Sequence, residues 1–324
     1  MKKLLKIVGI LLLVVILAAA AAATYVKTAL PDVGDAPVLT IERTPERIER
    51  GKYLANHVNV CMDCHSSRDW SLFSGPLAPG NFGGGGELFS RDLGFPGVFY
   101  ARNITPYGIG SWTDGEVFRA ITSGQSKDGH ALFPIMPYLN YGQLDKEDIY
   151  SLIAYIRTLA PVKHDIAAAE ADFPVSILIN TMPAKPNFTT RPAETDVVEY
   201  GRYMANAAGC VECHSKREKG TKVPGSEYGG GMEFPMPNGV TTSANITPDK
   251  TNGIGSWTAD AFVKRFKAYA DSTYKPHKIG PKDMNTAMPW MMYAGMKETD
   301  LRAIFAYLQT VKPLDNKVVK FKAN

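Results

Sequence analysis

The sequence predicts an all-α protein in which two tandem copies of one helical domain follow an N-terminal transmembrane helix. Three observations support this: one sequence pattern occurs twice, each copy ends in a segment with helical apolar periodicity, and a long apolar stretch follows the first lysines. Alternation of apolar and polar residues is scarce, so we expect no substantial sheet. A length of 324 residues and a hydrophobic content of 45% suit two or three folded domains.

The apolar stretch runs from Ile7 to Val26 without a charge, about the length that a helix needs to cross a bilayer. One interpretation is a retained anchor, with Lys2, Lys3 and Lys6 on the cytoplasmic side. The other is a cleaved signal peptide, with its apolar core at Ile7–Leu17 and its cleavage region in the alanine run. The run extends beyond an ordinary signal core, which favours the anchor. Both interpretations export the rest of the chain.

The remainder of the chain is nearly neutral. Lysine and arginine total 36 against 32 acidic residues, and three of the lysines precede the apolar stretch. A nucleic-acid partner is therefore not expected, because such proteins need a basic surface to neutralise phosphates. Four cysteines are also too few for a disulfide scaffold.

Segments from the first half of the chain return in the second half in the same order. The pairs are Gly51–Asn56 with Gly201–Asn206, Cys61–Ser66 with Cys210–Ser215, Asn103–Pro106 with Asn245–Pro248, Gly108–Thr113 with Gly253–Thr258, and Met136–Tyr138 with Met288–Trp290. Order is kept while the loops between segments change length, which indicates a tandem duplication. The predicted division is 1–27 (anchor or signal peptide), 28–44 (linker), 45–162 (first domain), 163–193 (connector), 194–315 (second domain) and 316–324 (tail).

Each copy is expected to contain three main helices. The first runs over Pro45–Asn56 or Asp196–Ala207, and the second begins after Thr113 or Thr258; Glu116 completes a capping box only in the first copy. In the last helix, apolar residues recur with a spacing of three and four before a proline. These residues are Ile149, Leu152, Ile153 and Ile156 in one copy, and Leu301, Ile304, Phe305 and Leu308 in the other. Gly51 and Gly201 are expected where the first and last helices cross closely.

The motif Cys-x-x-Cys-His occurs at Cys61–His65 and again at Cys210–His214. It is the attachment signature of c-type haem: one helical turn places both thiols along one porphyrin edge, and the following histidine ligates the iron. A thioredoxin-like site would need a βαβ pattern, and a zinc site would need the two pairs much closer together. We therefore expect two covalently attached haem c groups, held by Cys61, Cys64, His65, Cys210, Cys213 and His214.

A methionine before the last helix is the predicted second iron ligand in each copy. Met136 and Met288 are each followed by proline and an aromatic residue, and each precedes the final helix. The remaining histidines have no histidine counterpart in the other copy, which disfavours ligation of each iron by two histidines. Met292 and Met284 are the alternatives in the second copy.

Other polar residues are repeated between the copies. They are Arg68 and Arg217, Asn103 and Asn245, and Trp112 and Trp257. They could donate hydrogen bonds to buried haem propionates. Alternatively, the tryptophans pack and the asparagines cap turns. The sequence leaves both possibilities open.

With these motifs, residues 45–315 resemble a tandem class I cytochrome c, and the repeated loops resemble those of the cytochrome c subunits of membrane-bound alcohol and gluconate dehydrogenases. The resemblance implies an electron carrier rather than an enzyme, with a dehydrogenase as donor and a cytochrome or oxidase of the respiratory chain as acceptor. It also implies a bacterial inner-membrane protein with its haem domains in the periplasm, or a soluble periplasmic protein after signal cleavage. Those subunits have three haem domains, whereas this chain has two haem motifs.

The main alternative function is a dihaem cytochrome c peroxidase, which also carries two such motifs. It requires one haem with an open coordination position, and two matched methionines argue against that. A thiosulfate dehydrogenase with a cysteine axial ligand is disfavoured, because the two attachment motifs together use all four cysteines of the chain.

Overall fold

The computed structural model describes residues 1–218, 220–271 and 273–324. It is 39% helical and 9% strand, with the strands in three small sheets. The fold is therefore mixed α/β, and the all-α prediction is wrong. The expected N-terminal helix α1 is present at Lys2–Ala29, exposed along its length and long and apolar enough to cross a membrane.

Helices form the main body of both repeats. In the first repeat they are α2 (Pro45–Tyr53), a π-helical turn (Leu54–Val58), α3 (Cys61–Cys64), α4 (Pro106–Ile109), α5 (Asp114–Ser123), α6 (Tyr138–Tyr141) and α7 (Lys146–Ile156), with a 3₁₀ turn at Arg91–Leu93. The connector adds α8 (Val175–Leu178) and a 3₁₀ turn (Ile179–Thr181). The second repeat contains α9 (Val197–Ala207), α10 (Cys210–Cys213), α11 (Ala259–Lys267), α12 (Trp290–Tyr293) and α13 (Glu298–Leu308).

The sheets use segments that the sequence analysis left unassigned. They contain β1 (Leu88–Phe89), β2 (Gly97–Tyr100), β3 (Glu170–Ala171), β4 (Arg217–Glu218), β5 (Thr221–Lys222), β6 (Glu233–Met236), β7 (Gly239–Thr242) and β8 (Phe321–Ala323), in the orders β1-β2-β3, β4-β5 and β6-β7-β8, all antiparallel. Strand β3 comes from the connector and β8 from the tail. Strands of two to four residues are too short for a clear alternation, and β3 and β8 pair with segments that are distant in sequence, so local patterns could not reveal them.

The helix starts follow the sequence prediction. Thr113 and Glu116 form the expected capping box at α5, with the Glu116 N–H 3.1 Å from Thr113 Oγ1 and the Thr113 N–H 2.7 Å from the Glu116 carboxylate. Thr258 caps α11 by its hydroxyl alone, which accepts from the Ala261 N–H. These side chains satisfy N–H groups that have no partner within the helix.

The first and last helices of each repeat cross at a glycine, as predicted. A methyl group on Gly51 would lie 1.8 Å from the Ser151 carbonyl oxygen, and one on Gly201 would lie 1.9 Å from that of Ala303. Only glycine allows the backbones of α2 and α7, and of α9 and α13, to approach so closely. This crossing orients the end of the first helix, from which the cysteine motif continues.

The repeats pack against each other, and their buried side chains form one continuous apolar cluster. Two reciprocal hydrogen bonds cross between them. The Tyr53 hydroxyl donates to Asp300 at 2.5 Å, and the Tyr203 hydroxyl donates to Asp148 at 2.7 Å. The Tyr53 hydroxyl also accepts the Lys297 N–H, and the Tyr203 hydroxyl accepts the Asp145 N–H. Both N–H groups lie at the start of the other repeat's last helix.

The π-helical turn accommodates a difference between the copies. The segment from Gly51 to Cys61 is one residue longer than that from Gly201 to Cys210. A π turn absorbs one extra residue without ending the helix. Within it, His57 Nδ1 lies 2.9 Å from the Met292 carbonyl oxygen of the second repeat, and the imidazole covers Gly295.

We expect Gly51→Ala to lower the melting temperature of the full chain, because the added methyl would overlap the Ser151 carbonyl and approach the Tyr155 Cβ to 2.8 Å. Overpacking of this kind costs about 1–3 kcal/mol. Circular dichroism melting measures the change. Lys52→Ala, at an exposed position of the same helix, is the control and should leave the melting temperature nearly unchanged. Equal melting temperatures for the two variants would contradict the prediction.

Candidate functional site

Each cysteine pair lies on a single helical turn that starts from a left-handed residue. Val60, with φ of 46°, precedes α3, and Gly209, with φ of 64°, precedes α10. A β-branched residue rarely adopts this conformation, and such outliers cluster at functional sites. The sharp start lets Cys61 and Cys64 follow the first helix of the repeat immediately. Both pairs of thiols are thereby held one turn apart, as attachment to one porphyrin edge requires.

The two motif histidines are held in the same way. The Nδ1 atom of His65 lies 2.6 Å from the Arg102 carbonyl oxygen, and that of His214 lies 2.7 Å from the Ala244 carbonyl oxygen. A carbonyl can only accept, so Nδ1 carries the proton and Nε2 is left with its lone pair. Burial lowers the pKa of both imidazoles, against the opposing effect of that hydrogen bond. Both rings are therefore neutral and oriented, with a free Nε2 lone pair of the kind that an iron ligand needs.

The cysteines lie in surroundings that disfavour a charged sulfur. Burial raises the pKa of the Cys61 and Cys210 thiols to about 12. A thioether carries neither a charge nor a proton, so burial does not penalise it in this way. The donor set of two cysteines one helical turn apart and a neutral, oriented histidine fits a covalently attached haem in both repeats.

Met136 and Met288 occupy the same local structure. Each carbonyl oxygen accepts the N–H two residues later at 2.8 Å, and the intervening prolines have φ of −80° and −81°. A four-residue helix follows in both cases. Both methionines pack, partly buried, against the apolar cluster, as do Cys61 and Cys210. Of the alternatives in the second repeat, Met284 is 39% exposed and Met292 is buried in α12.

The repeated arginines bind carboxylates inside the cysteine turns. Arg68 Nη1 lies 2.8 Å from Asp63 Oδ2, with both side chains buried, and Arg217 Nη2 lies 2.5 Å from Glu212 Oε2. Burial raises the pKa of Asp63 to about 6, although Arg68 opposes this effect. Arg68 also donates to the carbonyls of Ser74 and Gly75, and its guanidinium lies 4.0 Å from the centre of the Trp70 ring. Both arginines thus brace the attachment turns.

The repeated asparagines act as turn caps, one of the two possibilities left open by the sequence. Asn103 Oδ1 accepts from the N–H and hydroxyl of Thr105, and Asn245 Oδ1 accepts from the same groups of Thr247. Their amide groups donate to the chain beyond the last helix of each repeat. Trp112 packs against the core, whereas Trp257 is 39% exposed.

One residue near the site was not singled out from the sequence. The Tyr138 side chain, two residues after Met136, is fully buried, yet its hydroxyl has no partner among the described residues. Buried hydroxyls are nearly always hydrogen-bonded, so this one fits an acceptor supplied by a bound group. Its counterpart in the second repeat is Trp290. Because the hydroxyl is not repeated, comparison of the two copies gave no sign that Tyr138 has a polar role.

Comparisons with known proteins agree with this site. Residues 198–312 match the cytochrome c family. The chain is 28% identical over 298 residues to the cytochrome c subunit of the quinone alcohol dehydrogenase of Gluconacetobacter polyoxogenes, covering 87% of this chain and 59% of that subunit. It is 31% identical to the fructose dehydrogenase cytochrome subunit of Gluconobacter japonicus, covering 82% of this chain and 52% of that subunit.

A dihaem c-type cytochrome of Cereibacter sphaeroides is 27% identical over 265 residues, covering 79% of this chain and 83% of that protein. The chain therefore spans only slightly more than half of the two dehydrogenase subunits but most of the dihaem cytochrome. A cytochrome c domain implies covalently bound haem c, in agreement with the cysteine and histidine geometry. Residues 198–312 thus form a cytochrome c domain, and the chain is related to the cytochrome subunits of bacterial alcohol and fructose dehydrogenases and to a dihaem cytochrome.

Proposed function

We propose that the chain is a dihaem electron carrier that receives electrons from a dehydrogenase and passes them to the respiratory chain. This proposal rests on the way in which His65 and His214 are held. The Nδ1 atom of each donates a hydrogen bond to a backbone carbonyl oxygen. This arrangement prepares two iron ligands in one chain. We assign one haem domain to residues 45–162 and the other to residues 194–315.

The first haem would be held by Cys61, Cys64, His65 and Met136, and the second by Cys210, Cys213, His214 and Met288. The bound groups supply one-electron redox chemistry. The chain orients each imidazole through a carbonyl, would supply a methionine as the second ligand of each iron, and packs the apolar cluster against these residues. The buried Tyr138 hydroxyl would donate to a propionate of the first haem. A methionine on each haem leaves no open position, which favours electron transfer over peroxide chemistry.

The partner proposal rests on the relatives. The similar proteins are named as cytochrome subunits of alcohol, fructose and gluconate dehydrogenases, so we propose a dehydrogenase as donor and a cytochrome or oxidase as acceptor. The chain spans 59% of the alcohol dehydrogenase subunit and 52% of the fructose dehydrogenase subunit, so the donor is proposed as a class of enzyme.

We further propose that α1 remains as a membrane anchor and holds the haem domains on the periplasmic side of a bacterial inner membrane. The connector supports this interpretation. Its short helices pack near the end of α1, and the Asn180 side-chain amide donates to the Val26 carbonyl at 3.3 Å. A cleaved signal peptide would leave this connector surface without its neighbour.

Two haems per chain are expected in the pyridine haemochrome assay, and the colour should remain with the polypeptide after boiling and gel electrophoresis. Cys64→Ala and Cys213→Ala should each compromise attachment of one haem and spare the other, because the two cysteine turns belong to different repeats. The double variant is the matched comparison and should lose both. One haem per wild-type chain, or colour lost on denaturation, would contradict the proposal.

Met136→Ala should open the first haem, lower its midpoint potential and allow it to bind carbon monoxide or cyanide, while the second haem stays unchanged. Met288→Ala should act in the same way on the second haem only, because Met288 is the proposed ligand of that haem. The measurements are absorption spectra, redox titration and ligand binding, with Met284→Ala, at an exposed position, as the control.

Two results would change the assignment in different ways. A second haem that is unaltered by Met288→Ala would move its ligand to Met292 or Met284. High-spin haem in the resting wild type, or rapid peroxide reduction by it, would support the peroxidase function instead.

If α1 is retained, the full chain should stay in the membrane fraction after high salt and carbonate, since twenty apolar residues remain in the bilayer. Sequencing of the mature N-terminus should start near Met1. A start near Thr24, together with release into the soluble fraction, would show that the segment is a signal peptide.

A further inference from the structure

We propose that Ser74, in the first repeat, is a positioning residue for Met288 in the second repeat. The proposal rests on the proposed role of Met288 as an iron ligand. It means that the second haem site depends on a loop that follows the first cysteine turn, so the two sites are not independent modules.

Ser74 is buried and forms hydrogen bonds directly to the Met288 segment. Its hydroxyl donates to the Met288 carbonyl at 2.6 Å and accepts the Trp290 N–H at 3.3 Å. Its backbone N–H donates to Asn285 Oδ1 at 2.8 Å. A single serine thus contacts the backbone on both sides of the Met288-Pro289 peptide and fixes the turn that presents the methionine.

Further contacts hold the two loops together. The Asn285 amide donates to the Trp70 carbonyl at 3.2 Å. The Ile279 N–H donates to the Ser71 carbonyl, and the Phe73 N–H donates to the His277 carbonyl, both at 2.9 Å. The segment leading to Met288 is therefore bonded along its length to the segment that follows the first haem motif.

The Ser74 loop is itself fixed to the first cysteine turn. Arg68 donates from Nη2 to the Ser74 carbonyl and from Nε to the Gly75 carbonyl, each at 2.8 Å, and its remaining nitrogen binds Asp63. An unbroken series of hydrogen bonds thus runs from Asp63, between the first two haem cysteines, through Arg68 and Ser74 to Met288. The bonds of Arg68 are charge-assisted, and such bonds are the stronger ones in proteins.

The backbone of Ser74 indicates that the hydroxyl is needed. Its φ is +63°, a conformation that glycine adopts more easily than serine. A strained residue persists where the surrounding structure holds it and where its side chain has a use. Here the use is the pair of bonds to Met288 and Trp290.

The loop before Met136 lacks an equivalent contact in the described part of the chain. Hydrogen bonds to the second repeat follow only after this loop, in α6, where Asn140 and Asn206 exchange them at 2.9 and 3.2 Å. The loop that carries Met136 is held within its own repeat, where the Leu132 N–H donates to the Gly124 carbonyl at 2.7 Å. Among the described residues, no hydrogen bond joins residues 131–137 to the second repeat. A change at Ser74 should therefore affect the second haem and spare the first.

The experiment uses the full-length haem-loaded protein and three variants. Ser74→Ala removes the hydroxyl and keeps the strained backbone, whereas Ser74→Gly removes both the hydroxyl and the strain. Ser71→Ala is the control, because within the described part of the chain the Ser71 hydroxyl binds only Asp69, in the same loop. The readouts are the NMR signals of the two iron-bound methionine methyl groups, the two midpoint potentials and the rate of cyanide binding. The methyl signals are assigned with Met136→Ala and Met288→Ala.

We expect both Ser74 variants to perturb the Met288 methyl signal and lower the second potential, with the first haem unchanged. The loss of hydrogen bonds should raise the population with Met288 detached, and hence the cyanide-binding rate, roughly 5- to 30-fold. Two results would overturn the proposal. If Ser74→Gly reverses the effect of Ser74→Ala, that effect comes from backbone strain and not from the lost hydroxyl. If Met288→Ala opens the second haem but both Ser74 variants behave like Ser71→Ala, Ser74 does not position Met288. If Met288→Ala itself has no effect, the ligand assignment fails instead.

Discussion

The packing of the two repeats against each other depends on two buried carboxylates, Asp148 and Asp300. A buried carboxylate is costly unless partners satisfy it, and each of these receives a tyrosine hydroxyl from the opposite repeat. Arg50 and Arg191 also bind Asp148 and keep its pKa low despite its burial, whereas Asp300 receives a second tyrosine, Tyr200. Because the haem motifs follow the same helices that carry Tyr53 and Tyr203, this reciprocal contact sets the position of one cysteine turn relative to the other.

The duplication explains why the contact is reciprocal, and the later differences explain why the sites are not identical. The extra residue before Cys61 is absorbed as a π turn, whose His57 fits over Gly295 of the other repeat. After the cysteine turn, the first copy forms the Ser74 loop and the second forms the β4-β5 hairpin. The Ser74 loop lies against the Met288 segment. One copy therefore helps to hold the other's Met288 loop, as expected when duplicated domains share one core.

Polar residues that are repeated between the copies can support the site through the backbone. Arg68 and Arg217 are candidate propionate donors by sequence, and each binds the acidic residue of its own cysteine turn. Asn103 and Asn245 bind backbone groups on two sides of a loop. These residues hold in place the Arg102 and Ala244 carbonyls, which accept the hydrogen bonds of the two motif histidines. The repeated polar residues around the motifs therefore mainly stabilise the backbone, and the orientation of the imidazoles depends on that backbone.

The sequence by itself determined the duplication, the two cysteine–histidine motifs, the capping box at Thr113 and the glycine crossings, because each is a local pattern or a repeat visible along the chain. It could not determine the three sheets, since β3 and β8 are short strands from the connector and the tail whose pairing partners lie far away in sequence. Nor could it reveal the Tyr53–Asp300 pairing or the contact of Ser74 with Met288. Hydrogen bonds between distant segments leave no periodic trace in either segment, so only the tertiary structure decided them.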